Sequence, residues 1–301
     1  MPSARGVVVT APAGRAHGFP SSAVFVPPHG RDDQVRMRRA HAAAARTFKV
    51  TATGPHVWGR HGRTPGRRAG QWWLRPVCAP QDKRNVRLWE GTATAHRALP
   101  AAVPRPRLHD VLEWSAQGHT YRVELSECVP LPALQSGGPV LTSDLDLPPV
   151  WWADLRLALE TTSSVVTDRQ AVRQRWVDKN LTHCLGIPAF QVSAWITGHG
   201  DLHWASLTGP PLIILDWEGW GLVLAGFDVG LLHAPSLTRP SMAARIRHEF
   251  AHVPDTPSGR TGELVALAQL LRVAGRGGHP DLAPHLARRA EHLTGSPVPA
   301  P

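Results

Sequence analysis

The chain has 301 residues, 42% of them hydrophobic, which is enough for one large domain or two lobes with a sizeable core. No apolar run approaches the roughly 20 residues of a membrane-spanning helix; Cys78, Cys128 and Cys184 form no CxxC pair, which points away from a zinc site or disulfide framework and toward free thiols in a reducing cytoplasm. The net charge of +10 is local, because residues 1–70 hold 12 Lys and Arg against 2 acids and the remainder balances.

Residues 1–45 are rich in Ala, Gly, Pro and Arg and read as a disordered basic extension. Such an arm can meet nucleic acid or an anionic surface, but no aromatic residue interleaves Arg31–Arg39 and no nucleic-acid-binding motif is present. Neither nucleic acid nor a membrane is expected as a partner. Met37 opens a plausible helix start and is a candidate native initiation site.

From about Arg46 the pattern turns to short extended pieces. Phe48–Thr53 alternates weakly, Val57-Trp58 leads into a glycine-containing turn at Gly59–Gly66, and Gln71–Val77 reads as a strand. Residues 82–98 are compatible with a helix, ended by Pro100, Pro104 and Pro106. Leu108–Trp114 and His119–Val129 predict an antiparallel pair around Ala116-Gln117-Gly118, and Pro130 and Pro132 mark a connector. Helices are then predicted at 151–165 and 168–184, with Asp168 as N-cap, and at about 224–237, 241–253, 258–275 and 281–294. A strand-rich first lobe over 46–129 and a helical second lobe over 130–301 make a two-lobed α+β architecture, with the interlobe cleft as the natural ligand site.

The chemistry concentrates in 199–218, which runs His199-Gly200-Asp201-Leu202-His203, then Ser206, then Leu212-Ile213-Ile214-Leu215, then Asp216-Trp217-Glu218. Phosphoryl transfer needs positioned phosphates, a divalent metal and a carboxylate near the attacking hydroxyl. Asp201 stands in a glycine-flanked loop suited to the last role. Asp216 follows an apolar strand expected to bury Ile213 and Leu215, a rigid mount for a magnesium ligand.

These residues resemble the catalytic segment of the aminoglycoside phosphotransferase family, a branch of the protein-kinase-like fold, and in particular its small actinobacterial branch. The likeness covers about 35 residues closely, through Gly219-Trp220-Gly221 and Ala225-Gly226-Phe227-Asp228, and about 46–295 in architecture. The resemblance implies an ATP-dependent, magnesium-using kinase of a small-molecule hydroxyl acceptor, with 46–129 as the nucleotide-binding lobe and 130–301 as the catalytic and substrate lobe. Asp201 would be the catalytic base, His199 its supporting neighbour, Asp216 the metal ligand, and Asp228 a brace for the loop backbone. Gly62, within Gly59–Gly66, would overlie the phosphates. Arg75 would contact them with Glu90 as its partner, and Glu127–Val129 would be the connector whose backbone meets adenine.

Three departures matter. Ser206 stands where the family carries a second, metal-binding Asn; if it still binds through water the enzyme is slow, and Ser206→Asn is expected to raise the rate. Arg75 replaces a Lys, a planar fork for a point charge. The glycine turn lacks a clean GxGxxG. Ser206 and Arg75 keep open a kinase-like protein that binds nucleotide or a small molecule without turnover. A second rival is a zinc hydrolase using His199, Asp201 and His203. The acceptor is not readable, although residues 239–301 hold 8 Arg and 5 acids, which disfavours a polycationic aminoglycoside. The twelve tryptophans are expected mainly in the core.

Overall fold

The computed structural model describes residues 27–28, 30–59, 64–83 and 86–299. Among them, the chain up to Glu127 forms a five-stranded antiparallel sheet in the order β1-β2-β3-β5-β4. Its strands are β1 Thr53–Trp58, β2 Pro65–Ala69, β3 Trp72–Pro80, β4 Leu108–Ala116 and β5 His119–Glu127. The β4–β5 turn falls where the sequence predicts it. Gln117 (φ 50°) and Gly118 (φ 72°) are both left-handed, the turn geometry whose twist suits the strands it joins.

Side-chain alternation gives this sheet two unlike faces. Leu74, Val123 and Leu125 form an apolar cluster with Ala44 of helix α1 (Arg31–Thr47). The opposite face is ionic: Arg75 lies directly across from Glu124, and Arg122 from Glu113. Helix α2 (Val86–Ala98) follows a single 3₁₀ turn at Gln81–Lys83, and its indole Trp89 donates to Glu113 at 3.1 Å.

Helix α1 corrects the expectation of an unstructured extension through residue 45. Residues 1–26 lie outside the described residues, but Met37, Ala40 and Ala44 recur at helical spacing and are buried, which is how an amphipathic helix docks on a sheet. The chain then leaves α1 through left-handed Lys49 (φ 56°), so of the expected strand Phe48–Thr53 only Thr53 is in a strand, as the first residue of β1. Within the expected glycine turn, residues 60–63 lie outside the described residues, and with them the phosphate role proposed for Gly62. Pro65 and Gly66 already belong to β2.

The second lobe contains α3 (Pro149–Ser163), α4 (Gln174–Leu185), the hairpin β6 (Trp195–Gly198) and β7 (Gly221–Leu224), then α5 (Phe227–His233), α6 (Pro240–Glu249), α7 (Pro257–Ala274) and α8 (Ala283–Thr294). Thr256 caps α7 by accepting from the Gly259 amide at 3.0 Å. Asp168 does not cap α4. The amides of Ala171 and Val172 both donate to the Leu222 carbonyl at 3.0 Å, so this stretch is spent on β7 and the helix begins later. Trp151, Trp152, Trp204, Trp217 and Trp220 fill one core cluster, while Leu181, Phe227, Val265 and Leu286 belong to a second. The buried indoles keep hydrogen-bond partners, as such groups require: Trp151 donates to Thr208 O at 2.9 Å and Trp204 to Ser236 Oγ at 2.7 Å. No described helix is long and apolar enough to cross a membrane.

Candidate active site between the lobes

One hairpin sets the site. β6 ends and β7 begins with the pair Gly198↔Gly221, so the loop after Gly198 and the turn before Gly221 start from a shared closure. Asp201 belongs to the first and Asp216 to the second. The two segments touch: a Cβ placed on Gly200 (φ 79°) would come within 2.8 Å of the Gly219 carbonyl, and one on Gly219 within 3.9 Å of the Asp201 Cβ. Only a glycine at 200 meets both the left-handed backbone and the close approach.

Asp228, in the first turn of α5, accepts from the amides of His199 at 2.6 Å and Gly200 at 2.9 Å, the bracing role expected of it. Burial pushes its carboxyl above the usual range, against the opposing pull of His199 and the two amides. The His199 ring is fully enclosed. Its Nε2 donates to the Leu215 carbonyl at 2.7 Å and its Nδ1 accepts from the Asp201 amide at 3.3 Å, which fixes the tautomer. The Trp217 ring packs edge-on at 4.7 Å. His199 therefore ties the loop carrying Asp201 to the residue before Asp216. With both nitrogens committed it is no zinc ligand, and among the described residues no cluster of His, Cys, Asp or Glu is arranged to hold a metal ion.

Both carboxylates face solvent. Asp201 is 54% exposed, 3.9 Å from His203 Nε2. Asp216 is exposed and left-handed (φ 59°, ψ 48°) at the entry to a 3₁₀ turn, Trp217–Gly219. The approach to Asp216 differs from the expected strand. Leu207 and Ile214 form a lone bridge, and Leu212 and Ile214 are buried rather than Ile213 and Leu215. Because strand side chains alternate, a shift of one position exchanges the faces.

Ser206 departs furthest from expectation. Its side chain is fully buried; its hydroxyl donates to the His203 carbonyl at 2.7 Å and accepts from the His203 amide at 3.0 Å. This closes a local capping box around Trp204–Ser206. The hydroxyl is spent on the loop's own backbone and is shielded from solvent.

Arg75 is paired, but not with Glu90. Its guanidinium contacts Glu124 at 3.4 Å and also Glu218, and Asp216 adds to the negative field that raises its pKa against the cost of burial. Glu90 is exposed, while Trp89, Gly91 and Ala95 are buried positions of α2. Gly91 lies against the Glu218 backbone, where any Cβ would collide. Trp220 Nε1 donates to Gly91 O at 3.0 Å and Thr94 Oγ1 at 2.9 Å. An ionic chain thus runs from Glu218 through Arg75, Glu124 and Arg122 to Glu113.

The connector is partly used up. The Glu127 amide donates to Arg107 O at 2.9 Å, its carboxylate accepts the Arg107 amide at 3.0 Å, and the Cys128 amide donates to Gln71 O at 2.8 Å. Val129 is half-buried just beyond. Sequence reasoning missed three supporting residues. Glu218 closes the Asp216-Trp217-Glu218 motif, where its position alone assigns it no role. Glu124 could have been paired with Arg75 from the strand register. Arg169 gave no signal, yet its guanidinium donates to Trp220 O at 2.6 Å and Glu218 O at 2.7 Å, holding the turn after Asp216.

No protein-family model matches this sequence, and no curated protein does. Among solved structures, a thermostable mutant of aminoglycoside phosphotransferase APH(4)-Ia in apo form superposes with a TM-score of 0.55 at 12% identity, over 84% of this chain and 97% of that one. A variant of the same enzyme in complex with ADP and hygromycin B gives the same values. The GDP and kanamycin complex of APH(2")-IIia gives 0.52 at 13% identity, over 84% and 98%. The chain has the two-lobed, kinase-like α+β fold of the aminoglycoside phosphotransferases.

Proposed function

We propose that the chain is an ATP-dependent phosphotransferase that moves the γ-phosphoryl group onto a hydroxyl of a small molecule. The observation that carries this reading is the joint anchoring of two exposed carboxylates: Asp228 and His199 hold the Asp201 loop while His199 reaches the residue before Asp216. The similar folds solved with ADP and hygromycin B, or with GDP and kanamycin, support it.

Bound magnesium-ATP supplies the activated phosphoryl group and offsets its charge. Asp201 orients the acceptor hydroxyl and takes its proton. Asp216 fits a magnesium ligand because that ion is content with one or two carboxylates, phosphate oxygens and water; Ser206, closed on His203, is not part of the set. Arg75 would reach the phosphates of a bound nucleotide only by loosening its contact with Glu218. The +3 balance of residues 239–301 favours a neutral or anionic acceptor over a polycation.

A second reading, a nucleotide-binding protein without turnover, is favoured by the commitment of Ser206 to His203 and of Arg75 to Glu124 and Glu218. The test is a coupled assay of magnesium-ATP consumption across a library of hydroxylated metabolites and antibiotics, beside thermal denaturation. Acceptor-dependent ADP release lost in Asp201→Ala establishes the transferase. A magnesium-ATP-dependent rise in melting temperature with no turnover establishes the second reading, and absence of both refutes each.

A further inference from the structure

The face of the sheet turned away from Arg75 carries a second polar groove. It lies between α1 and the β1–β2 edge and is lined by Arg38, His41, His56, Trp58 and Arg67, with Val50 among its apolar positions. Arg67 pairs in register with Leu74, and Leu74 points to α1 while Arg75 points to the cleft, so the sheet itself separates groove from candidate active site. His41 is only 2% exposed. Its ring stacks on His56 at 5.3 Å, and His56 in turn meets Trp58 at 5.9 Å. The Nε2 atoms of both histidines are buried without a hydrogen-bond partner, a costly state unless something else supplies the partner.

The charge around this pair is of one sign. Arg38 and Arg67 are the charged groups lining the groove, and no carboxylate lines it. Arg38 is exposed and Arg67 donates to Gly54 O at 3.0 Å and Ala52 O at 3.3 Å, so an anion entering the groove would meet two cations unpaired with any carboxylate there, with Trp58 and Val50 as an apolar wall.

We infer that this groove binds a small organic anion, a phosphate or carboxylate, received by His41 and His56 between Arg38 and Arg67 with its apolar part against Trp58. Without an anion, burial, the neighbouring His56 and Arg67 lower the His41 pKa to about 4, against a hydrogen bond to the Leu74 backbone; burial, Arg67 and Arg38 lower that of His56. An anion reverses these pulls, so binding takes up protons and tightens as pH falls below neutrality.

The test is an NMR titration of the histidine rings in the full chain with inorganic phosphate and with phenyl phosphate, at two pH values. Expected are saturable downfield ring-proton shifts at His41 and His56, tighter for phenyl phosphate and at the lower pH. Arg38→Gln should weaken binding several-fold, and His56→Gln should abolish the shift at His41 while the melting temperature stays near wild type. Binding unaffected by either variant overturns the inference. So does the absence of saturation by ~10 mM, ten times the dissociation constant of a millimolar site. If His56→Gln fails to fold, Arg38→Gln alone decides. Because no readout depends on phosphoryl transfer, failure here leaves the proposed function standing, and the reverse holds too.

Discussion

Asp201 and Asp228 serve the same loop and answer to different tests. Asp201 is exposed and its side chain holds no backbone, so Asp201→Ala should remove transfer and leave nucleotide binding and melting temperature near wild type. Asp228→Ala strips the acceptor from the buried His199 amide and the half-buried Gly200 amide. At ~1–3 kcal/mol for each unsatisfied group, the loss should appear as a large drop in the urea midpoint. Ser206 reverses its own expectation. An Asn at this enclosed site must displace neighbours at a cost of ~1–3 kcal/mol and breaks the box with His203, so Ser206→Asn should destabilise the chain without raising the rate. A faster Ser206→Asn enzyme would restore Ser206 as a metal position. Glu218→Gln removes the competitor for Arg75 at the cleft and should tighten magnesium-ATP binding several-fold by calorimetry; unchanged or weaker affinity would remove Arg75 from the phosphate site.

Helix α2 shows how much local packing governs the site. Alanine is intrinsically favoured over glycine in a helix by ~1 kcal/mol, yet a Cβ at Gly91 would strike the Glu218 backbone. Gly91→Ala should therefore lower the melting temperature, the collision outweighing the propensity gain. The same contact explains a limit of sequence reading. The helix at 82–98 was legible from its apolar positions and the prolines after it, but which side of Glu90 faces the other lobe is decided by Trp89 and Gly91 against a turn far along the chain. The β4–β5 hairpin, α7 and the Asp201–Asp216 spacing were readable because turn residues, caps and short apolar runs act locally. The start of α4 was not, since residues 169–172 leave the helix to bond β7. Nor was α1, whose composition resembles a loose tail until the sheet offers Leu74 and Val123 to cover.

The molecule as a whole should carry an acid limit set far from the cleft. Glu263 is buried in α7, where burial alone would raise its pKa. Hydrogen bonds from His233 at 2.9 Å and Arg289 at 2.8 Å, with their charges, bring it from 4.5 down to about 2. A depressed folded-state value stabilises above the unfolded pKa and is lost as pH falls, here between about 4.5 and about 2. The contribution is about 3 kcal/mol by linkage. Urea midpoints measured across that window should fall with acid in the wild type, and Glu263→Gln should flatten the slope; an equal slope in both would assign acid sensitivity elsewhere.

The pairing of Gly198 with Gly221 has one more consequence. Inside that closure, Leu207 meets Ile214 in a second, smaller clamp, and beyond it Pro210 and Pro211 project into solvent. A foreign epitope spliced before Pro210 would hang outside both clamps and leave the proposed transfer to proceed. The same epitope spliced after Asp201 would pry open the inner ring and silence it.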